Sequence, residues 1–276
     1  VTDGQGCTTT ENVVITQNDV PVADFVITDA CSGTPVDFTD ASTIGSGSIT
    51  GWAWDFGDGS QSTSQNPSHS SNQPGTYDVT LVVSAGNCTD QITLQANSYP
   101  NPTADFATAN VCVGQAATFT DNSSVTGSTI SQWAWDFDGQ GNAVTQNASF
   151  TFANAGTYSV TLGVVTSDLC ADFHTEQITV YPAPVPSFTT AAVCEGSATS
   201  FQNTSTVSSG TIVTQAWDFG DGTNPSTASS PNHTYPSAGT YSVTLAVSTA
   251  VGCVATTSQN LTVNPLPAIT SSNPDV

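Results

Sequence analysis

Three stretches of this 276-residue chain place carboxylates close enough to act together: Asp55 and Asp58 in WAWDFGDG, Asp218 and Asp221 in QAWDFGDG, and Asp136 and Asp138 in WAWDFDGQG. Paired carboxylates are raw material for acid–base chemistry or for cation binding. Each pair lies beside a glycine turn and recurs along the chain, however. The simpler reading of Asp55, Asp58, Asp218 and Asp221 is an Asx-type turn, in which the carboxylate accepts backbone N–H groups. The middle stretch differs. Asp136-Phe137-Asp138-Gly139-Gln140-Gly141-Asn142 has the D-x-D-G-x-G-N pattern of a calcium loop, where hard oxygens at alternate positions converge on one cation. Asp136, Asp138 and Asn142 are therefore a candidate calcium site, although no Glu follows at the usual position. Calcium is the one cofactor the residues suggest.

The remaining chemistry-bearing residues carry less. His69 and His233 each lie six residues before the Gly of a GTY motif, and Phe150 holds the same place in the middle stretch, so the slot reads as packing. His174 stands alone, with no Cys or His at zinc spacing. No Ser-His-Asp or Cys-His set can be assembled from anything but recurring landmarks. No catalytic residue, and no enzyme, is expected.

The charge balance narrows the partners. The chain has 22 Asp plus Glu and no Lys or Arg, a net charge of -22. Ordinary composition would supply roughly 30 basic residues. Without cations the surface cannot neutralise phosphates, so nucleic acid and anionic lipid headgroups are excluded as partners. Arg clamps, Schiff-base lysines and Lys–Asn cross-links are excluded with them. Trypsin-like proteases find nothing to cut after. No stretch approaches the roughly 20 apolar residues of a membrane span, so no direct membrane insertion is expected. The start, VTDGQGCTTT, lacks the features of a signal peptide, and the chain reads as an interior piece of something longer.

The landmarks repeat along the chain. Trp54, Trp135 and Trp217 are spaced by 81 and 82 residues, and Gly75, Gly156 and Gly239 open three GTY motifs followed by DVTLVV, SVTLGV and SVTLAV. Cys31, Cys112 and Cys194 each precede a Gly by two residues, and Cys88, Cys170 and Cys253 each follow a VTL run. Three repeats result, at 21–100, 101–182 and 183–265; 1–20 reads as the C-terminal part of a preceding repeat and 266–276 as the start of a following one. The joints SYPNPTADF and YPAPVPSF are short and Pro-stiffened, which favours a rod.

Within each repeat the segments are short, rich in β-branched and aromatic residues, and bounded by Gly, Asn, Asp, Ser and Pro. Alternation puts Tyr77, Val79 and Leu81 on one face, and Trp52, Trp54 and Phe56 on one face. About seven strands in each repeat predict a small antiparallel β-sandwich, with helix essentially absent. The alternation also buries Trp54, Trp135 and Trp217, leaving Trp52 and Trp133 as the more exposed aromatics and Gln215 in their place in the third repeat.

The joint pattern W-D-F-G-D-G, then (N)-P-x-H, then G-T-Y-x-V-T-L resembles the PKD (polycystic kidney disease) domain, an immunoglobulin-like sandwich. The resemblance covers all three repeats and implies an all-β fold of tandem sandwiches. It makes Tyr77, Tyr158 and Tyr241 corner residues whose hydroxyls tie back to the main chain. The middle repeat departs from the pattern twice, with WDFDGQGN at the turn and Phe150 for histidine. The tandem arrangement with added cysteines resembles giant cell-surface adhesins of Bacteroidetes-type bacteria, including gliding adhesins of the SprB type. That resemblance implies export by type IX secretion and an extracellular, cell-surface location.

Seven cysteines allow several pairings. One lies within repeats: Cys31–Cys88, Cys112–Cys170 and Cys194–Cys253. A second crosses each linker, as in Cys88–Cys112. In an immunoglobulin-like sandwich the first cysteine of each repeat sits at the lower end and the second at the upper end, some 26 Å apart along a strand of about eight residues, too far for a disulfide. Where the lower end of one repeat abuts the upper end of the next, Cys31–Cys170 and Cys112–Cys253 result. This inter-repeat pairing is preferred, and the within-repeat pairing stays open.

Two function classes follow. The first is a non-enzymatic structural stalk of an extracellular bacterial adhesin or surface filament, whose partners are neighbouring repeats of the same chain. The second is an array of binding modules accessory to a secreted enzyme, recognising surface glycans or cell-surface proteins, which predicts an exposed aromatic row through Trp52 and Trp133.

Overall fold

The computed structural model describes residues 4–8, 10 and 19–268. The described residues form strands and turns with no helix. Three immunoglobulin-like sandwiches follow one another, each built from one large sheet and a smaller set of short strands, which form one three-stranded sheet in the second repeat and two two-stranded sheets in the first and in the third.

In the first repeat the large sheet runs Ala30–Cys31, Cys88–Tyr99, Gly75–Ala85, Gly51–Asp55, Gln61–Ser62 in spatial order. Its counterpart in the second runs Val111–Cys112, Ala171–Tyr181, Gly156–Thr166, Ile130–Phe137, Asn142–Ala143, and in the third Val193–Cys194, Val254–Asn264, Gly239–Thr249, Ile212–Asp218. The small sheets hold the strands that start each repeat, such as Phe25–Val26 with Thr39–Asp40, and those that carry the histidine slot, such as Val36–Asp37 with Ser68–His69. The expectation of purely antiparallel pairing needs one correction. The edge strand that carries the first cysteine of each repeat pairs in parallel, as in Cys31↔Tyr99, Cys112↔Tyr181 and Cys194↔Asn264, while the opposite edge strands Gln61–Ser62 and Asn142–Ala143 pair antiparallel. The chain leaves the small sheet after Val26 and crosses to the large one at Ala30, which fixes that direction.

Period-two alternation decides what is buried. Along Gly75–Ala85, Val79, Leu81 and Val83 point inward and are fully buried, while Thr76, Asp78 and Thr80 face outward. Trp54, Trp135 and Trp217 are 2%, 2% and 0% exposed. Each indole meets a phenylalanine from the opposite sheet edge-on: Phe25–Trp54 at 5.0 Å, Phe106–Trp135 at 5.1 Å and Phe188–Trp217 at 5.2 Å. Edge-to-face packing of this kind adds to the burial of two large rings and pins the sheets together.

By its internal contacts the chain divides into two compact units, one comprising Val1–Asp105, Ser123–Trp133 and Gly163–Phe173, the other Phe106–Asn122, Ala134–Leu162 and His174–Val276. The middle repeat contributes to both, and each unit contains one disulfide.

Candidate functional site

The motif residues form the same hydrogen-bonded nodes in each repeat. The buried indole N–H of Trp54, Trp135 and Trp217 donates to a loop carbonyl, of Ser64, Thr145 and Ala228 respectively, each at 2.9 Å. Satisfying that donor lets the tryptophan be buried without an unpaired polar group. The hydroxyls of Tyr77, Tyr158 and Tyr241 donate to the carbonyls of Gln73, Asn154 and Ser237, at 2.8, 2.9 and 2.8 Å. Each tyrosine thus closes the corner that leads into its own GTY strand.

The aspartates cap turns. Asp55 accepts the Gly57 N–H and Asp58 accepts the Ser60 N–H, both at 2.9 Å, and Asp218 and Asp221 do the same for Gly220 and Thr223. Gly57 and Gly220 have φ of 78° and 74°, and a Cβ on either would meet a backbone carbonyl oxygen at 2.8 or 2.5 Å, so only glycine fits there. The second oxygen of Asp58 bonds His69 Nε2 at 2.8 Å, and that of Asp221 bonds His233 Nε2 at 2.7 Å. These imidazoles lie flat on Phe56 and Phe219, with centroids 4.1 and 4.0 Å away. The histidine slot is therefore packing and polar bonding at once, the bonds to Asp58 and Asp221 adding to the packing expected from the sequence. Burial works to raise the Asp58 carboxyl, but the Ser60 N–H and the His69 ring outweigh it and hold it below the usual carboxylate range. Asp221 is lowered in the same way, burial being outweighed by Thr223 and His233.

In the middle repeat both partners change together. Asp138, with φ of 59°, stands where the other repeats have Gly57 and Gly220, Gly139 replaces the bonding aspartate, and Phe150 replaces histidine and stacks on Phe137 at 4.5 Å. The two departures from the motif are thus one coupled change: without the turn carboxylate the ring has nothing to donate to, and a phenyl fills the place. The paired substitution was visible in the sequence and is the signal that could have found the His–Asp bond. At the candidate calcium residues, Asp136 and Asn142 are register partners across the hairpin, and Asp136 Oδ1 accepts the Gly139 N–H at 2.8 Å. Asp138 sits exposed at the tip. Among the described residues no group of three or more His, Cys, Asp or Glu gathers in a way that could hold a metal ion.

Trp52 is half-buried, and its N–H donates to Asp40 Oδ2 at 2.7 Å; Trp133 is half-buried too, and Gln215 bonds the Thr227 carbonyl. An exposed aromatic row is not what these positions form. His174 packs edge-on against Phe106 at 5.5 Å.

The cysteines join successive repeats. Cys31 of the first is bonded to Cys170 of the second, and Cys112 of the second to Cys253 of the third, with Cα separations of 5.6 and 5.7 Å. The register explains why the within-repeat alternative (Cys31–Cys88, Cys112–Cys170, Cys194–Cys253) does not form. Cys31 lies beside Tyr99, at the Gly75 end of the central strand, whereas Cys88 faces Ala85 at the other end. Eleven residues of strand keep the two about 33 Å apart.

A family model described as "PKD domain" matches residues 18–98, 99–180 and 181–264, most of the chain. The chain belongs to the PKD domain family. A 53-residue part of it is 51% identical to the pre-pro-metalloprotease PrtV of Vibrio cholerae, over 19% of this chain and 6% of that protein. Among solved structures, the PKD1 domain of the Vibrio cholerae metalloprotease PrtV is 43% identical, covering 30% of this chain and 98% of that one, with a TM-score of 0.28. The PKD1 domain of Vibrio anguillarum Epp is 30% identical, covering 30% and 99%, also with a TM-score of 0.28. This chain is a tandem array of such PKD modules and spans a small fraction of the PrtV length. The expectations for 1–20 and 266–276 fall largely outside the described residues.

Proposed function

We propose that this PKD array is a non-enzymatic, load-bearing stalk segment of a larger extracellular bacterial adhesin or surface filament. The observation that carries the reading is the overlap of the two disulfides. Cys112 lies inside the loop closed by Cys31–Cys170, and Cys170 lies inside the loop closed by Cys112–Cys253. Tension applied across the array therefore passes through covalent bonds that bypass most of the backbone. Disulfides of this kind persist in oxidising surroundings outside the cytosol. A net charge of -22 with no cation disfavours lateral association of like arrays. Pulling single molecules before and after reduction tests this: the stalk reading requires a much longer extension after reduction, and equal extensions would refute it.

A second reading is favoured by the match to a metalloprotease: a binding module accessory to a secreted enzyme. Immobilised chain exposed to a glycan array and to surface proteins separates the two. Specific capture that survives 0.5 M salt, a concentration at which long-range charge effects are screened to about 4–5 Å, would favour the accessory module.

A further inference from the structure

Cys194 is an exposed free thiol, yet its backbone setting matches those of two bonded cysteines. Cys31, Cys112 and Cys194 occupy the same parallel edge strand, opposite Tyr99, Tyr181 and Asn264. The residue after each donates to that partner's carbonyl: Ser32 to Tyr99 and Val113 to Tyr181 at 2.8 Å, Glu195 to Asn264 at 2.9 Å. The carbonyl of each cysteine accepts the N–H three residues on, from Thr34, Gln115 and Ser197. The glycine between has φ of 78°, 82° and 74°. One turn, built three times, presents sulfur in the same way, and in two of the three that sulfur is bonded to a neighbouring repeat.

The bonded partners share a form of their own. Cys170 and Cys253 close three-residue hairpins in which a buried threonine grips the cysteine from both sides. Thr166 N–H donates to the Cys170 carbonyl at 2.8 Å while the Cys170 N–H donates to Thr166 Oγ1 at 3.1 Å, and Thr249 with Cys253 repeats this at 2.9 and 3.1 Å. Leu169 and Gly252, just before each cysteine, take φ of 67° and 87°. Both sulfur-bearing residues are buried at the joint. The first repeat has a shorter hairpin, Ala85 pairing directly with Cys88 across Gly86 and Asn87, and offers no such threonine.

We infer that Cys194 is the receiving half of a third inter-repeat disulfide, and that its partner is the hairpin cysteine of another PKD repeat carrying the T-x-x-x-C turn. The partner class is set by chemistry: a thiol held at the tip of a hairpin by its own threonine, able to reach the Cys-x-Gly turn at the end of the third repeat. As the bond forms, two thiols lose two protons and two electrons, which a low-molecular-weight disulfide such as oxidised glutathione takes up in becoming two thiols. The inference extends the clamped-array reading, and the two fail separately, since extension under force reads the existing disulfides and the test below reads Cys194.

The test inserts a second copy of residues 183–265 between Pro265 and Leu266 of the full chain and oxidises it in a glutathione buffer. Alkylation by iodoacetamide at Cys194 should fall from complete in the 276-residue chain to near zero. Non-reducing peptide mapping should find Cys194 joined to the inserted hairpin cysteine. Changing that inserted cysteine to serine should restore complete labelling, with the buried-tryptophan emission of the insert as the check on folding. Complete labelling of Cys194 beside a folded, cysteine-bearing insert would overturn the inference and leave an exposed thiol only.

Discussion

The first and third repeats solve the same packing problem differently. In the third, Tyr235 is fully buried, donates its hydroxyl to the Phe219 carbonyl at 3.1 Å, packs on Tyr241 at 4.3 Å and meets His233 edge-on. Burial, and then the charge of Asp221, raises that phenol above its usual range, in keeping with a hydroxyl that only donates. In the first repeat Ser71 stands at this position, shown by the same bond: the Gly33 N–H donates to Ser71 O just as the Gly196 N–H donates to Tyr235 O, both at 2.8 Å. The lost ring is replaced in part from the other side, by Ile27 and Val36 where the third repeat has Thr190 and Thr199, while Ala96 faces Tyr77 where Leu261 faces Tyr241. A cavity of about 30 Å³ remains among Ile27, Val36, Phe38, His69, Tyr77 and Ala96. The backbone node is thus independent of the side chain that fills the space behind it. The turn, corner and tryptophan bonds set the shape of a repeat, and the filler sets its strength.

The largest effect should come from giving the third repeat the first repeat's residue. Tyr235→Ser lacks the compensating Ile27 and Val36, and should cost about 3–5 kcal/mol in urea unfolding followed by Trp217 emission. A loss below about 1 kcal/mol would mean that the ring's packing contributes little. The reverse change sharpens the contrast: Ser71→Tyr, whose ring is larger than the space of about 30 Å³ left beside Ile27 and Val36, should cost about 1–3 kcal/mol. Adding Ile27→Thr and Val36→Thr, the third repeat's residues, should recover most of it; if the triple variant is no better than the single, the two fillers are not coupled.

A smaller effect separates both of these repeats from the second. Asp58 and Asp221 have folded-state values below their unfolded ones, so their contribution is present above roughly pH 4 and is lost as pH falls through the lower folded values. The Phe137–Phe150 pair of the second repeat has no such bond to lose. Melting curves from pH 5 to pH 2 should show Asp58→Asn flattening the acid loss of the first repeat; an unchanged acid slope would contradict the assignment.

Much of this was legible in the sequence, for identifiable reasons. Alternation around Trp54 and Tyr77 names the inward face because a sheet has period two, and the all-β tandem sandwich fold was borne out. The parallel edge pairing of Cys31 with Tyr99 was not legible, since a two-residue strand carries no periodicity. The His69–Asp58 bond was written in the paired loss of both residues in the second repeat and was missed because each was read alone. Ser71 could not be recognised as a missing ring, because its compensation by Ile27 and Val36 comes from a different strand and loop.

Force spectroscopy tests the overlap of the two disulfides most directly. Backbone alone separates Cys31 from Cys253 by 222 residues, while the shortest covalent route, through Cys170, back to Cys112 and across to Cys253, contains only the 58-residue separation of Cys112 and Cys170. With all three repeats unfolded, the oxidised segment should reach about 200 Å and the reduced one about 780 Å, at roughly 3.5 Å per residue. An oxidised chain that extends to the full reduced length would contradict the covalently clamped stalk.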